Sequence, residues 1–191
     1  MPAKLRWLVM PLEAQADDGR LSIAAGERSD WFIDPGSGEV MSNAPALVGP
    51  SMGDFVLSAR VEVDFAATFD AGALFVWRDE RTWAKLAFEL SPQGRPMVVS
   101  VVTRGESDDC NSMDVGTGAI WLRAARRGAA FAFHASFDAK SWLFVRHFRL
   151  GTSGDPEVGF EAQSPRGEGC RAHFTQMALA AATLGDLRSG E

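Results

Sequence analysis

Three side chains whose chemistry suits a sugar ligand alternate along one predicted strand. Residues 83–89 have the sequence Trp-Ala-Lys-Leu-Ala-Phe-Glu, and their period of two puts Trp83, Lys85 and Glu89 on one face and apolar residues on the other. An indole can stack on the C–H face of a sugar, an ammonium donates hydrogen bonds, and a carboxylate accepts them. The same residues also fit a structural role, with a packed indole and an inter-strand charge network.

A polar segment follows the next predicted strand, and we expect it to be a loop. Residues 105–111 contain carboxylates, a hydroxyl and an amide, and Arg104 precedes them. The Arg104 guanidinium could bind a carboxylate or phosphate of a ligand, or pair with Asp108 and hold the segment in place. Oxygen atoms of Asp108, Asp109 and Asn111 suit Ca²⁺, but the spacing of a calcium-binding EF-hand loop is absent, so no metal is predicted.

Two further residues complete the predicted ligand-binding set. Gln163 supplies an amide beside a Ser-Pro turn, and His134 shares a strand face with Ser136. The predicted set is Trp83, Lys85, Glu89, Arg104, Asp108, Gln163 and His134.

No catalytic signature is complete, so no catalytic residue and no cofactor are predicted. Glycosidases need two carboxyl groups across the substrate, and Glu89 with either Glu161 or Asp108 is the candidate pair. The three histidines lack metal-ligand spacing, and the Gly-x-Ser-x-Gly motif of a serine hydrolase is absent. Cys110 lies in an acidic segment, which disfavours its thiolate form.

The elements that must position these residues are strands. Residues 55–65 alternate strictly between apolar and polar, residues 72–78 are apolar as in a buried strand, and residues 97–103 are rich in valine. Asp18-Gly19 predicts a hairpin turn. Short strands recur at spacings of about 8–12 residues without amphipathic helices between them, which predicts an antiparallel sandwich or barrel, with two sheets favoured.

Several of these segments, in this order, resemble one known family. They are Trp83–Glu89, Ser91–Gly94, Val101–Gly105, Ser107–Ser112 and Ala162–Pro165. The family is bacterial and fungal, has no settled activity, and is sometimes labelled "regulation of enolase" after a yeast relative. The resemblance implies an all-β, concanavalin A-like jelly-roll sandwich of two antiparallel sheets, whose concave sheet could form a groove.

One difference from the glucanases of this fold concerns the alternative that this chain is a hydrolase. Glucanases with this fold carry three carboxylates on one strand in the order Glu-x-Asp-x-(x)-Glu. The nearest match here is Glu62 and Asp64, followed by Ala66 and Ala67. The third carboxylate is therefore missing.

Composition limits the class of protein and of partner. A chain of 191 residues with 46% hydrophobic residues predicts one domain, residues 1–178, followed by a tail, residues 179–191, that is helical or disordered. The net charge of −6 disfavours a nucleic-acid partner, and apolar runs long enough to span a membrane are absent. We expect a cytoplasmic protein whose Cys110 and Cys170 are thiols, although a bridge between them stays open.

The sequence therefore predicts a non-catalytic binding module for carbohydrate or another polar small ligand. A protein-interaction or regulatory domain, with a protein partner, is the first alternative, and a glycoside hydrolase is the second.

Overall fold

Strands account for all the regular secondary structure in the part of the chain that the computed structural model describes, residues 4–151 and 154–191. In chain order they are β1 (Arg6–Val9), β2 (Glu13–Asp17), β3 (Arg20–Gly26), β4 (Trp31–Ile33), β5 (Val40–Ser42), β6 (Ala46–Pro50), β7 (Phe55–Val63), β8 (Ala71–Asp79), β9 (Thr82–Leu90), β10 (Pro96–Arg104), β11 (Ser107–Asp114), β12 (Ala119–Arg127), β13 (Ala130–Ser136), β14 (Leu143–Arg149), β15 (Glu157–Gln163) and β16 (Gly169–Ala180).

The strands form two large antiparallel sheets, which confirms the predicted all-β sandwich. Sheet I has the order β1-β6-β15-β8-β9-β10-β11, and sheet II has the order β14-β13-β12-β7-β16-β3-β2. The alternation in β7 predicted this packing, because every second side chain of that strand is buried between the sheets. The sheets approach so closely that a Cβ atom on Gly72 of β8 would lie 2.7 Å from the Ala172 side chain of β16.

The main core lies between the two sheets. It contains Leu57 and Val61 of β7, Leu86 and Phe88 of β9, and Phe174 of β16, among others. The predicted faces of β9 are therefore confirmed, since Leu86 and Phe88 point into the sandwich while Trp83 belongs to a different cluster.

A second apolar cluster lies on the other face of sheet I. The hairpin formed by β4 and β5 folds over this face, and Trp31 of β4 packs there against Phe75 and Trp83. The aromatic segment at residues 31–33 is the first strand of this hairpin. Sheet I is thus covered by protein on both faces over part of its area.

Two local predictions were wrong. The segment predicted as a loop at residues 105–111 is mostly β11, an edge strand that pairs with β10 after a turn at Gly105. Its polar side chains are tolerated because an edge strand exposes most of them to solvent. The other is the tail, residues 179–191, predicted to be helical or disordered: residues 179 and 180 belong to β16, and Leu187 packs against Ala125 and Ala132 of sheet II.

Two further observations concern the state of the cysteines and whether any helix could span a membrane. Cys110 and Cys170 are both free thiols. Residues 4–151 and 154–191 include no helix of the length and hydrophobicity needed to cross a bilayer.

Candidate functional site

An open cavity of about 640 Å³ lies on the hairpin-covered face of sheet I. Its polar lining consists of Asp30, Asp34, Glu39, Lys85, Glu89, Asp109, Asn111, Gln163 and Arg166. Its apolar lining consists of Phe32, Met41, Phe69, Pro92, Val99, Val101 and Pro165. The floor is formed by β9 and β10, and the walls by the β4–β5 hairpin and the segments around residues 69 and 165.

Lys85 is the buried cation at the base of this cavity. Its Nζ donates a hydrogen bond to Asp30 Oδ1 at 2.7 Å and another to the side-chain oxygen of Gln163. Burial disfavours the charged ammonium, but attraction to Asp30 and to the Glu161 and Glu89 carboxyls outweighs it, so the pKa of Lys85 is raised. Lys85 is therefore a charged group that already has two protein partners.

Those two partners are themselves held in place. The backbone N–H of Asp30 donates to Asn43 Oδ1 at 3.0 Å, which fixes the start of the β4–β5 hairpin. Gln163, at the end of β15, donates from Nε2 to the backbone oxygen of Phe69 at 3.1 Å. The ammonium thus joins strand β9 to the hairpin on one side and to β15 on the other.

Two glutamates near Lys85 lie in contrasting positions. Glu89 is 7% exposed and lines the cavity, and burial raises its pKa to about 8 despite the attraction of Lys85. Glu161 is 0% exposed, and burial raises its pKa to about 8 as well. Among the described residues, neither oxygen of the Glu161 carboxyl has a hydrogen-bond partner. Both carboxyls are protonated over much of the range below pH 8.

The predicted catalytic pairing of Glu89 with Glu161 or Asp108 does not occur. Glu161 is sealed from solvent and does not line the cavity, while Asp108 lines a different hollow. A glycosidase needs both carboxyls in contact with one substrate, and neither pairing provides that.

Trp83 cannot stack on a ligand, which corrects its predicted role. Its side chain is 0% exposed, and its ring centroid lies 6.0 Å from that of Trp31 and 5.7 Å from that of Phe75. The physical reason is the β4–β5 hairpin, which places Trp31 over the part of sheet I where Trp83 points. Trp83 therefore stabilises the second apolar cluster.

Arg104 and Asp108 lie outside the cavity and do not pair with each other. Both line a shallow hollow at the end of β10 with Pro35 and Glu106. Asp108 instead pairs with Arg146 of β14 at 3.0 Å. The alternation of β11 explains the displacement, because Asp108 lies opposite Val102 while Asp109 lies opposite Val101, and these valines belong to different faces of sheet I.

His134 lies on the outer face of sheet II, far from the cavity in the fold. Its Nε2 is 2.8 Å from the backbone oxygen of Leu187, and Arg123 Nε donates to its Nδ1 at 3.4 Å. Burial and then the Arg123 charge lower the pKa of His134 to about 4. The C-terminal segment covers this histidine, so it has no role in the predicted groove.

Three of the seven predicted residues, Lys85, Glu89 and Gln163, thus meet in one cavity. The predicted ligand-binding set left out Asp30, Asp109 and Asn111, which line it too; Asp109 and Asn111 were considered only as calcium ligands. The alternation of residues 107–114 could have indicated Asp109 and Asn111 if the segment had been interpreted as a strand. The position of Asp30 depends on how the hairpin folds over the sheet, which has no local signal.

Within residues 4–151 and 154–191, no three His, Cys, Asp or Glu side chains cluster in a way that would hold a metal ion.

Comparison with known proteins gives one family and a set of similar folds. A family model described as "Protein of unknown function (DUF1349)" matches residues 7–182. A curated relative, "Regulation of enolase protein 1" of Saccharomyces cerevisiae, is 26% identical over 176 residues, covering 92% of this chain and 88% of the relative.

Solved structures share the sandwich. A functionally unknown protein from Saccharomyces cerevisiae is 26% identical with a TM-score of 0.88, over 95% of this chain and 97% of that one. A mutant of the GH43 protein BlXynB from Bacillus licheniformis is 13% identical with a TM-score of 0.69, over 87% of this chain but 34% of that one. The exoplasmic/lumenal domain of VIP36, in a Ca²⁺/Man3GlcNAc-bound form, is 10% identical with a TM-score of 0.56, over 96% and 92% of the two chains. The last two likenesses show the fold alone.

Proposed function

The chain belongs to the DUF1349 family of proteins of unknown function, and we propose that it is a non-catalytic module that binds carbohydrate or another polar small ligand in the cavity over β9 and β10. The observation that carries this proposal is Glu89. Its side chain is 7% exposed, lines the cavity, and makes no hydrogen bond to any described residue. The Glu89 carboxyl oxygens are not sealed from solvent, so they can be reached from the cavity, and a ligand with hydroxyl groups would hydrogen-bond to them there.

The cavity walls fit the same class of ligand. Apolar side chains such as Phe32, Phe69 and Met41 line the cavity together with Asp109 and Asn111. Small-molecule sites combine apolar surface with a few directed polar groups in this way, and sugars present both C–H faces and hydroxyls. The VIP36 domain, which has a similar fold, is described with a bound Man3GlcNAc, so carbohydrates are the first compounds to test.

The test is a thermal-shift screen of the whole chain against sugars, polyols and sugar phosphates. A ligand at about 100 times its Kd stabilises the native state by about 2.7 kcal/mol, and we expect Tm to rise with at least one compound. Asp109→Asn should reduce this rise. Asp108→Asn, one residue earlier on β11 and outside the cavity, is the matched control and should keep it. An unchanged Tm across the panel, or equal loss in both variants, would contradict the proposal.

A protein-binding role is the second candidate, favoured by the name of the yeast relative and by an apolar patch. Phe137, Leu143 and Phe144 are 49%, 44% and 40% exposed at the β13–β14 edge of sheet II. Exposed apolar groups beside an unpaired strand edge suit a protein partner. Sedimentation with purified enolase checks this, and Leu143→Lys should abolish co-migration while Arg104→Ala, outside the patch, preserves it. Absence of any complex with the wild-type chain would exclude enolase as the partner.

A further inference from the structure

We infer that the cavity is selective for ligands that donate hydrogen bonds, and that it prefers an amino-bearing sugar or polyol to an acidic one such as a uronic acid or a sugar phosphate. This inference depends on the proposed binding function and adds a substrate class to it. It concerns the ligand charge that the cavity prefers, which depends on the cavity groups that have no protein partner.

The charges around the cavity are unequal. Carboxyl groups come from Asp30, Asp34, Glu39, Glu89 and Asp109. The only cationic side chains in the same lining, taken over the described residues, are Lys85 and Arg166. Glu89 is mostly protonated at pH 7 and Asp30 is paired with Lys85, but Asp34, Glu39 and Asp109 still outnumber Arg166. The potential inside is therefore negative, and a concave site concentrates the field of its walls on the ligand.

Both cations are poorly placed to receive an anion. Two of the three N–H donors of Lys85 Nζ bond to Asp30 and Gln163, and the Asp30 carboxylate already balances the charge of the ammonium. The Arg166 guanidinium lies over the Phe69 ring, 4.9 Å from its centroid, on an exposed residue. An ion pair at such an exposed position contributes little.

The free groups are mostly acceptors. Asp34 is occupied, because its Oδ1 accepts from the backbone N–H groups of Gly36 and Ser37. Asp30 is occupied by Lys85. Glu39, Glu89 and Asp109 remain, with no hydrogen bond from their side-chain carboxyls to any residue that the structure describes, and all three line the cavity.

Glu89 and Asp109 can act on the same ligand. They lie on β9 and β11, which flank β10, and are offset by four residues along it, because Glu89 is opposite Met97 and Asp109 is opposite Val101. They can therefore contact different parts of one ligand, and the Asp109 charge adds a small increase to the pKa of Glu89. An ammonium bound in the cavity would relieve that repulsion and favour the ionised form of Glu89. A carboxylate or phosphate would add to the repulsion instead.

The test is a calorimetric titration at pH 7 with matched ligands that share one ring and differ in charge. For the gluco, galacto and manno series, the neutral sugar, the 2-amino sugar, the uronic acid and the 6-phosphate are compared. In the series that binds, we expect the amino sugar to bind at least tenfold more tightly than the neutral sugar, and the two anions at least tenfold more weakly. Asp109→Asn should reduce the preference for the amino sugar, and Asp108→Asn should not.

The outcomes separate this inference from the function on which it rests. Equal binding of neutral, amino and acidic forms, or tighter binding of an anion, would overturn the charge preference while leaving a sugar-binding module. A preference for the amino sugar that is the same in wild type and Asp109→Asn would also overturn it, because the cavity would not be its source. No binding by any member of the three series would overturn both.

Discussion

Lys85 illustrates how one buried charge holds separate parts of this molecule together. Its ammonium binds Asp30 at the base of the β4–β5 hairpin and Gln163 at the end of β15. Desolvation offsets much of the attraction within such a pair, but removal of only one partner leaves the other charge buried and unpaired. The two members of the pair should therefore depend strongly on each other.

Replacement of Lys85 tests this dependence. We expect Lys85→Met to lower the free energy of unfolding by about 3–5 kcal/mol, because the Asp30 carboxylate would lose its counter-ion in a buried site. Adding Asp30→Asn should recover a large part of that loss. Urea unfolding of both single variants and the double variant measures the coupling.

The control for this cycle is Arg95→Met. Arg95 pairs with Asp114 at 2.8 Å, but both side chains are more than half exposed, at 64% and 56%. Such a pair contributes at most about 1 kcal/mol. Similar losses for Lys85→Met and Arg95→Met would show that the buried pair is not special.

At the scale of elements, the two segments that cover the sheets decide which polar groups reach solvent. The β4–β5 hairpin buries Trp83 and leaves the cavity beside it. On sheet II, the segment at residues 184–191 packs Leu187 against Ala125 and Ala132, and Arg123 donates to the backbone oxygen of Gly190 at 2.7 Å. Arg123 and His134 are buried beneath it. Neither segment is a strand of the sheet that it covers.

Deletion of residues 184–191 is expected to uncover His134. The pKa of His134 should rise from about 4 towards its ordinary value, because the imidazolium would regain water. Stability should fall by about 2 kcal/mol or more, since burial of a leucine side chain alone contributes about that amount. An NMR titration of the histidine ring protons gives the pKa, with His147 and His173 as internal references.

Ser189→Ala is the matched control, because Ser189 is an exposed residue within the same segment. It should leave the His134 pKa where it is in the intact chain. An unchanged His134 titration after the deletion would mean that the C-terminal segment is not what shields this residue.

At the scale of the whole molecule, buried ionisable groups set the pH at which the fold is most stable. The pKa values of Glu89 and Glu161 are raised from 4.5 to about 8, so the native state holds protons that the unfolded chain releases. Stability from these groups is complete below about pH 4.5 and is lost as pH rises through 8. His134 acts in the opposite direction, because its lowered pKa removes stability as pH falls from 6.5 to about 4.

We therefore expect maximal stability near pH 5 and a net decline of about 5 kcal/mol by pH 8, because at about 1.4 kcal/mol per pKa unit the loss from the two glutamates exceeds the gain from His134. Urea unfolding across pH 4.5–9 measures this profile. Glu161→Gln should be more stable than the wild type at pH 8 and nearly equal to it at pH 5. Glu80→Gln, at an exposed turn, is the control. A wild-type maximum above pH 7 would contradict the assignment of two buried, protonated glutamates.

Much of this molecule follows from its sequence alone. Alternation in β7 and β9 and the recurrence of short strands determined the antiparallel sandwich, because a period of two is a local property of a half-buried strand. The same alternation placed Lys85 and Glu89 on one face. The alternation of β11 would likewise have placed Asp109 and Asn111 on one face, but the polarity of that strand made it resemble a loop.

Only the tertiary structure decided what covers each face. Whether Trp83 is a ligand platform or a core residue depends on the β4–β5 hairpin, and whether His134 is free depends on residues 184–191. Both covers come from segments more than forty residues away in sequence from the groups they bury. Local pattern shows which side of a strand a residue occupies, but the burial of that side is set by long-range packing, which no short stretch of sequence encodes.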